Sequence, residues 1–211
     1  SIELPERLLL KDLSFTVDPG TLWQVAGANG AGKTTLLRAI TGLKPISSGM
    51  ISWKGRNIQE QSSEYWSEIQ YLGHKTAIKP KLTVRENMLL NSGVVTTHQR
   101  VQEVLDILGL KPQADQFAGL CSAGQQRRLS LARLWLRPSQ LWILDEPYTA
   151  LDQYHVSLLT AWIEDQVLGG GSVLMTSHRE LSMNRIPIHR IDLSSPQALS
   201  LTRGEPAECQ A

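Results

Sequence analysis

In Thr21-Leu22-Trp23-Gln24-Val25-Ala26-Gly27-Ala28-Asn29-Gly30-Ala31-Gly32-Lys33-Thr34-Thr35-Leu36-Leu37, an apolar run gives way to a glycine-rich loop and then to leucines at helical spacing. Leu36, Leu37, Ile40 and Leu43 continue that spacing until Gly42 and Pro45 end it, so the stretch reads as strand, loop and helix. Gly27 to Thr34 fits the pattern GxxxxGK[ST] in that setting. Glycines let backbone N–H groups curl around phosphate oxygens, and the helix N-terminus adds its partial positive charge. Gly27, Asn29, Gly30, Ala31, Gly32, Lys33, Thr34 and Thr35 are therefore expected to hold the phosphates of a nucleotide. Lys33 reaches the terminal phosphates and the Thr34 hydroxyl ligates Mg²⁺.

Downstream, Leu141-Trp142-Ile143-Leu144-Asp145-Glu146 places two carboxylates at the end of a continuous apolar strand, where open α/β sheets bind ligands. Asp145 is expected to hold the metal and Glu146 to orient or deprotonate an attacking water, the groups that phosphoryl transfer needs beside a phosphate loop. Elsewhere Leu8 to Val17 reads as a strand turning at Asp18-Pro19-Gly20, Gly49 to Trp53 and Ile69 to Leu72 as further strands, and Ser172 to Thr176 as another apolar strand before Ser177-His178. From Thr83 to Leu110 the apolar residues take helical spacing, clearest in Val101, Val104, Leu105 and Leu108. A second helix opens at Ser122 and closes at Arg137-Pro138. Strands alternating with helices predict a mainly parallel sheet covered on both faces, and the tail after Pro196 reads as weakly structured.

Composition narrows the class without naming a function. The 211 residues suit one compact domain, and 21 Lys plus Arg against 20 Asp plus Glu leave a net charge of +1. Such a balance lacks the basic footprint of a nucleic-acid binder. Cys121 and Cys209 stand far apart with no Cys/His cluster, which argues against a zinc site or disulfide framework and fits a reducing compartment. No run reaches the 18 or so apolar residues of a membrane span, so any work on a membrane needs a partner chain that crosses it. Ser1 to Arg7 does not read as a secretory signal, and the absent initiator Met points to a processed or truncated start.

Cys121-Ser122-Ala123-Gly124-Gln125 resembles the LSGGQ signature of ABC ATPases. Ser122 as N-cap and Gly124 allowing close approach offer N–H groups and a hydroxyl to a phosphate, and the resemblance implies that this phosphate is bound on a second subunit. Ala150-Leu151-Asp152 resembles the D-loop, and His178 the switch histidine that senses the γ-phosphate. The resemblance implies an α/β P-loop NTPase of the ABC ATPase type, with a RecA-like core, a small antiparallel β part and a helical subdomain. Residues 1–211 form one such domain in this reading, with 1–75 and 136–211 as core and 76–135 as helical subdomain.

The longer runs Cys121-Ser122-Ala123-Gly124-Gln125-Gln126-Arg127-Arg128 and Ala132-Arg133-Leu134-Trp135-Leu136, followed by Leu141-Trp142-Ile143-Leu144-Asp145-Glu146-Pro147-Tyr148-Thr149-Ala150-Leu151-Asp152, are similar to the CcmA family of ATP-binding subunits for cytochrome c maturation. His74 stands where most ABC ATPases carry a glutamine, and that family also looks like this. The position admits a metal-water or coupling role beside a plain surface histidine. Cys121 replaces the usual signature leucine, Tyr148 a common phenylalanine, and the strand that the family carries ahead of Leu8 is expected to be missing, with no aromatic there to stack on adenine.

The resemblance implies catalytic Glu146, His178 and Lys33; ATP held by the phosphate loop with Ser122, Gly124 and Gln125; and a metal set of Thr34, Asp145 and His74 for Mg²⁺. It implies a homodimer sandwiching two ATP, integral membrane subunits of a cytochrome c maturation complex as partners, no nucleic acid, and a peripheral position on the cytoplasmic face of the bacterial inner membrane. Two other classes stay open: the ATPase of another transporter, for lipoproteins or metals, and a soluble ABC ATPase acting on DNA or ribosomes.

Overall fold

The computed structural model describes residues 1–4, 7–10, 13–91, 97–178 and 181–194. Its centre is a five-stranded parallel sheet in the order β6-β7-β8-β3-β9. The strands are β3 (Leu22–Ala26), β6 (Ile69–Leu72), β7 (Leu141–Leu144), β8 (Ser172–Thr176) and β9 (Ile188–Asp192). Two short antiparallel pairs flank it, β1 (Ile2–Leu4) with β2 (Arg7–Leu10) and β4 (Ser52–Trp53) with β5 (Arg56–Asn57). The helices are α1 (Lys33–Ile40), α2 (Ser62–Glu68), α3 (Val84–Asn91), α4 (His98–Ile107), α5 (Ala123–Leu136) and α6 (Gln153–Leu168).

Strand alternation divides the core into two clusters. Along β7, Leu141 and Ile143 pack with Leu36 and Leu37 of α1 and Tyr65 of α2. Trp142 and Leu144 face Leu129 and Leu131 of α5 and Leu159, Trp162 and Ile163 of α6. A period of two thus sends neighbouring residues to opposite helical layers, which is why the strand is apolar throughout. The second cluster continues into α3 and α4 through Met88, Val101, Val104 and Leu105.

Two sequence expectations need correction. A strand does precede Leu8, since β1 pairs antiparallel with β2 through Ile2↔Leu10 and Leu4↔Arg7. The strand expected to reach Val17 stops short, for residues 13–18 lie in no ladder. Leu13, Phe15 and Val17 do pack on the core, so the alternation is real. Strand β3, the neighbour expected across the Asp18-Pro19-Gly20 turn, is however paired on one edge with β8 and on the other with β9, so neither of its edges is open to this segment. Helices α2 and α6 and strand β9 were not anticipated, and the tail after Pro196 lies outside the described residues.

Candidate active site

The C-terminal ends of β3, β7 and β8 open on one cleft of about 330 Å³. From the loop after β3 and the first turn of α1 it receives Asn29, Gly30, Gly32, Lys33, Thr34 and Thr35; Asp145 and Glu146 follow β7, and His178 follows β8. Sheet register explains the convergence: Leu144 pairs with Met175, and Val25 with Thr176, so the three strand ends lie side by side.

Loop geometry depends on glycine at two positions. Gly27 has φ 143°, and a Cβ there would come 3.2 Å from Ala31 Cβ and 3.3 Å from Leu193 Cβ. Gly32 is the N-cap of α1 in the left-handed region, φ 100°, where side chains are disfavoured. The N-terminal N–H groups of a helix lack partners within it, and α1 begins at the cleft. Lys33 is largely buried, and its Nζ donates to the Gly27 carbonyl at 2.7 Å and the Ala28 carbonyl at 3.1 Å. The ammonium is thereby held over the loop.

Asp145 is 1% exposed. Its Oδ1 accepts a hydrogen bond from the Thr176 hydroxyl at 2.8 Å, while buried Oδ2 makes no hydrogen bond among the described residues. A buried carboxylate oxygen left without a partner costs about 1–3 kcal/mol or more. Asp145 and the Thr34 hydroxyl in the same cleft therefore fit a hard divalent cation such as Mg²⁺, which takes one or two protein oxygens beside phosphate and water.

Glu146 has φ +48°, a conformation that non-glycine residues adopt at a cost and that concentrates at functional sites. Its Oε2 accepts the backbone N–H of His178 at 3.2 Å. Its Oε1, which makes no hydrogen bond among the described residues, lies 3.5 Å from His178 Nε2. The His178 side chain is 57% exposed, so this neighbour of Glu146 is open to solvent.

Thr176 was not anticipated from the sequence. Fully buried, its hydroxyl donates to Asp145 and accepts the backbone N–H of Glu146 at 2.9 Å, tying both carboxylate residues to β8. The available signal was a hydroxyl at the end of an apolar strand. Thr176→Val keeps the volume but leaves the Glu146 N–H without this acceptor, so the protein should lose about 1–3 kcal/mol; urea unfolding measures this.

The remaining expected site residues lie elsewhere. Ser122, Gly124 and Gln125 do not line the cleft. They open α5 in a capping box, in which Ser122 Oγ accepts the Gln125 N–H at 3.2 Å and Gln125 Oε1 accepts the Ser122 N–H at 2.7 Å. A Cβ on Gly124 would lie 3.4 Å from the Ala150 carbonyl, so the helix start faces the Ala150-Leu151-Asp152 segment. His74 is exposed in the bend after β6, outside the cleft. No cluster of three or more His, Cys, Asp or Glu suited to a metal occurs among the described residues.

The sequence pattern of the ABC transporter family matches residues 10–149, from the end of β2 through the Gly27 loop and α5 to the segment after Glu146. The chain belongs to the ABC transporter family. It is an ABC-type ATPase. Curated relatives include the cytochrome c biogenesis ATP-binding export protein CcmA of Aliivibrio fischeri, 42% identical over 89% of this chain and 93% of that protein. The protein of the same name from Sodalis glossinidius is 41% identical over 92% and 93%. Among solved structures, an ATP-binding subunit of an ABC transporter superposes with TM-score 0.76 at 26% identity, over 84% of this chain and 76% of that one. A dimeric ATP-binding cassette bound to ADP and Pi superposes with TM-score 0.74 at 20% identity, over 93% and 92%, and shows the shared ABC fold. Among the described residues no helix is long and apolar enough to cross a membrane.

Proposed function

We propose that this ABC ATPase is the ATP-hydrolysing subunit of a membrane export complex for c-type cytochrome biogenesis, a haem exporter. The observation that carries this reading is the likeness to the cytochrome c biogenesis ATP-binding export proteins along nearly the whole of both chains. Lys33 and the N–H groups around Gly30 to Thr34 bind the β- and γ-phosphates of ATP. Asp145 and Thr34 would hold Mg²⁺, which would supply positive charge to offset that of the phosphates. Glu146 orients a water in line with the γ-phosphorus through its unpaired Oε1 and takes its proton as the water oxygen bonds to phosphorus. The bond from phosphorus to the β–γ bridging oxygen then breaks and ADP leaves with its electron pair. His178 positions the Glu146 carboxylate through its N–H and meets the γ-phosphate with its ring.

Ser122, Gly124 and Gln125 act on the ATP of a second copy. Their separation from the chain's own cleft supports this arrangement, because a capped helix start is useful to an anion only when it faces one. Two copies head to tail then enclose two ATP. The partner is an integral membrane subunit at the cytoplasmic face of the bacterial inner membrane, and the ATPase sits there peripherally. Its face is assigned to the segment after His74: exposed Phe117 and Leu120 flank Gly119, whose N–H donates to the Pro80 carbonyl, beside exposed Lys79 and Lys81. Such a surface suits a short acidic, amphipathic segment. In cells that depend on this chain, Lys33→Ala should abolish covalent haem attachment to c-type cytochromes, read by haem staining. Normal attachment would sink the cytochrome assignment, and co-purification of a different membrane subunit would replace it.

A further inference from the structure

Helix α5 carries a charged residue on the face it buries. Arg127 falls four and seven residues before Leu131 and Leu134, both of them core residues, and is itself 4% exposed. A lone guanidinium in such a place is costly, and burial is the main cause that pushes its pKa down, with the Asp145 and Glu146 carboxylates opposing. The cost is offset by carbonyl dipoles. Arg127 Nε donates to the Pro147 carbonyl at 3.3 Å, Nη1 to Gly73 at 3.1 Å, and Nη2 to Asp145 at 3.3 Å and Glu146 at 2.5 Å.

Three consecutive carbonyls rarely meet one cation, because successive carbonyls of an extended strand point to opposite sides. They converge here because the chain leaves β7 at Glu146 with φ +48°. The guanidinium thus fills the concavity that the disfavoured conformation creates. Its fourth carbonyl, Gly73, directly precedes His74, and Arg133 of the same helix holds that loop on both flanks, at the Tyr71 and Thr76 carbonyls, each 3.1 Å away. The planar fork of arginine can serve several acceptors in fixed directions, which the single ammonium of lysine cannot.

We propose that Arg127 is a positioning residue for hydrolysis: it locks Glu146 in its left-handed conformation, so that the carboxylate meets the water in line, and ties that setting to the loop carrying His74. The proposal rests on Glu146 being the general base. Arg127 does not touch ATP; its effect is on the rate of cleavage and not on nucleotide affinity. Motion of α5 relative to β7 would act on the base through the same four carbonyls.

The test uses the full chain with Arg127→Lys, which keeps the charge, Arg127→Met, which keeps the apolar volume, and Glu146→Gln alone and combined with Arg127→Lys. Circular dichroism and nucleotide binding select the folded protein. Arg127→Lys should lower kcat roughly 10- to 100-fold, leave the KM for ATP within about threefold, and let the ATP-bound dimer accumulate as Glu146→Gln does. Adding Arg127→Lys to Glu146→Gln should cost little more, because residues that act through one group are not additive. A folded Arg127→Lys with kcat within twofold of the unsubstituted protein overturns the proposal. So does a full multiplicative loss in the double variant, or a fall in ATP affinity that matches the fall in kcat. If Arg127→Met does not fold, the lysine variant still decides. Should Glu146→Gln itself turn over normally, the reading of the base fails; should Glu146→Gln be inactive while Arg127→Lys is normal, only this inference falls.

Discussion

Replacing Glu146 with glutamine is expected to lower ATP turnover roughly 10²- to 10⁴-fold, the range for loss of a positioned general base, while a dimer accumulates in the presence of Mg²⁺ and ATP. The substitution is nearly isosteric. A glutamine oxygen still accepts the His178 N–H that now meets Oε2 at 3.2 Å, so the loop after β8 stays in place. What disappears is the proton acceptor and one negative charge beside the γ-phosphate. Nucleotide affinity should hold or rise, because like-charge repulsion falls. The ATP-bound dimer, no longer dissolved by hydrolysis, should become visible by light scattering. Turnover within threefold of the unsubstituted protein would remove Glu146 from the mechanism, and unchanged turnover with a monomeric protein would remove the two-copy site as well.

Lys33→Ala is expected to do the reverse to the dimer. Its ammonium is held by the Gly27 and Ala28 carbonyls at 2.7 and 3.1 Å, a fixed position over the loop proposed to bind the phosphates. Deleting one such preorganised donor costs on the order of 10²- to 10³-fold in kcat. Because the same charge binds ground-state ATP, affinity should fall too, and no ATP-dependent dimer should form. The two carbonyls also lose their partner, so the protein without nucleotide should be destabilised by about 1 kcal/mol. Nucleotide titration and thermal unfolding separate the two effects. Retention of full ATP affinity would contradict the assignment of Lys33 to the phosphates. The opposite responses of the dimer, gained with Glu146→Gln and lost with Lys33→Ala, distinguish a defect in cleavage from a defect in binding.

Much of the fold was legible because its strands and helices advertise themselves locally. Leu141 to Leu144 is apolar throughout since both of its faces are covered, and Ser122 announces α5 because a hydroxyl and a glutamine three residues later satisfy each other's backbone donors. Strand β9 was illegible for the opposite reason. In Ile188-His189-Arg190-Ile191-Asp192 only Ile191 is fully buried, and the segment is a strand because the free edge of β3 pairs with it in register. Helix α6 had readable spacing in Leu159, Trp162, Ile163 and Val167, with Asp152 accepting the His155 N–H at 2.9 Å as its cap. The strand expected at Leu13 to Val17 shows the converse: a correct alternation makes no ladder with β3, both of whose edges are taken by β8 and β9.

The same division runs through the site. By itself the sequence marked out the loop from Gly27 to Thr35 and the carboxylate pair Asp145 and Glu146 as a candidate nucleotide site, because backbone freedom, a helix start and a strand end are local properties that residue types dictate. Only the tertiary structure decided that His178 reaches Glu146, that Thr176 joins both carboxylate residues to β8, and that Arg127 gathers the Gly73, Asp145, Glu146 and Pro147 carbonyls. Those contacts join positions 18 to 54 residues apart, and they form because parallel pairing sets the ends of β3, β6, β7 and β8 beside one another, an outcome no window of sequence contains.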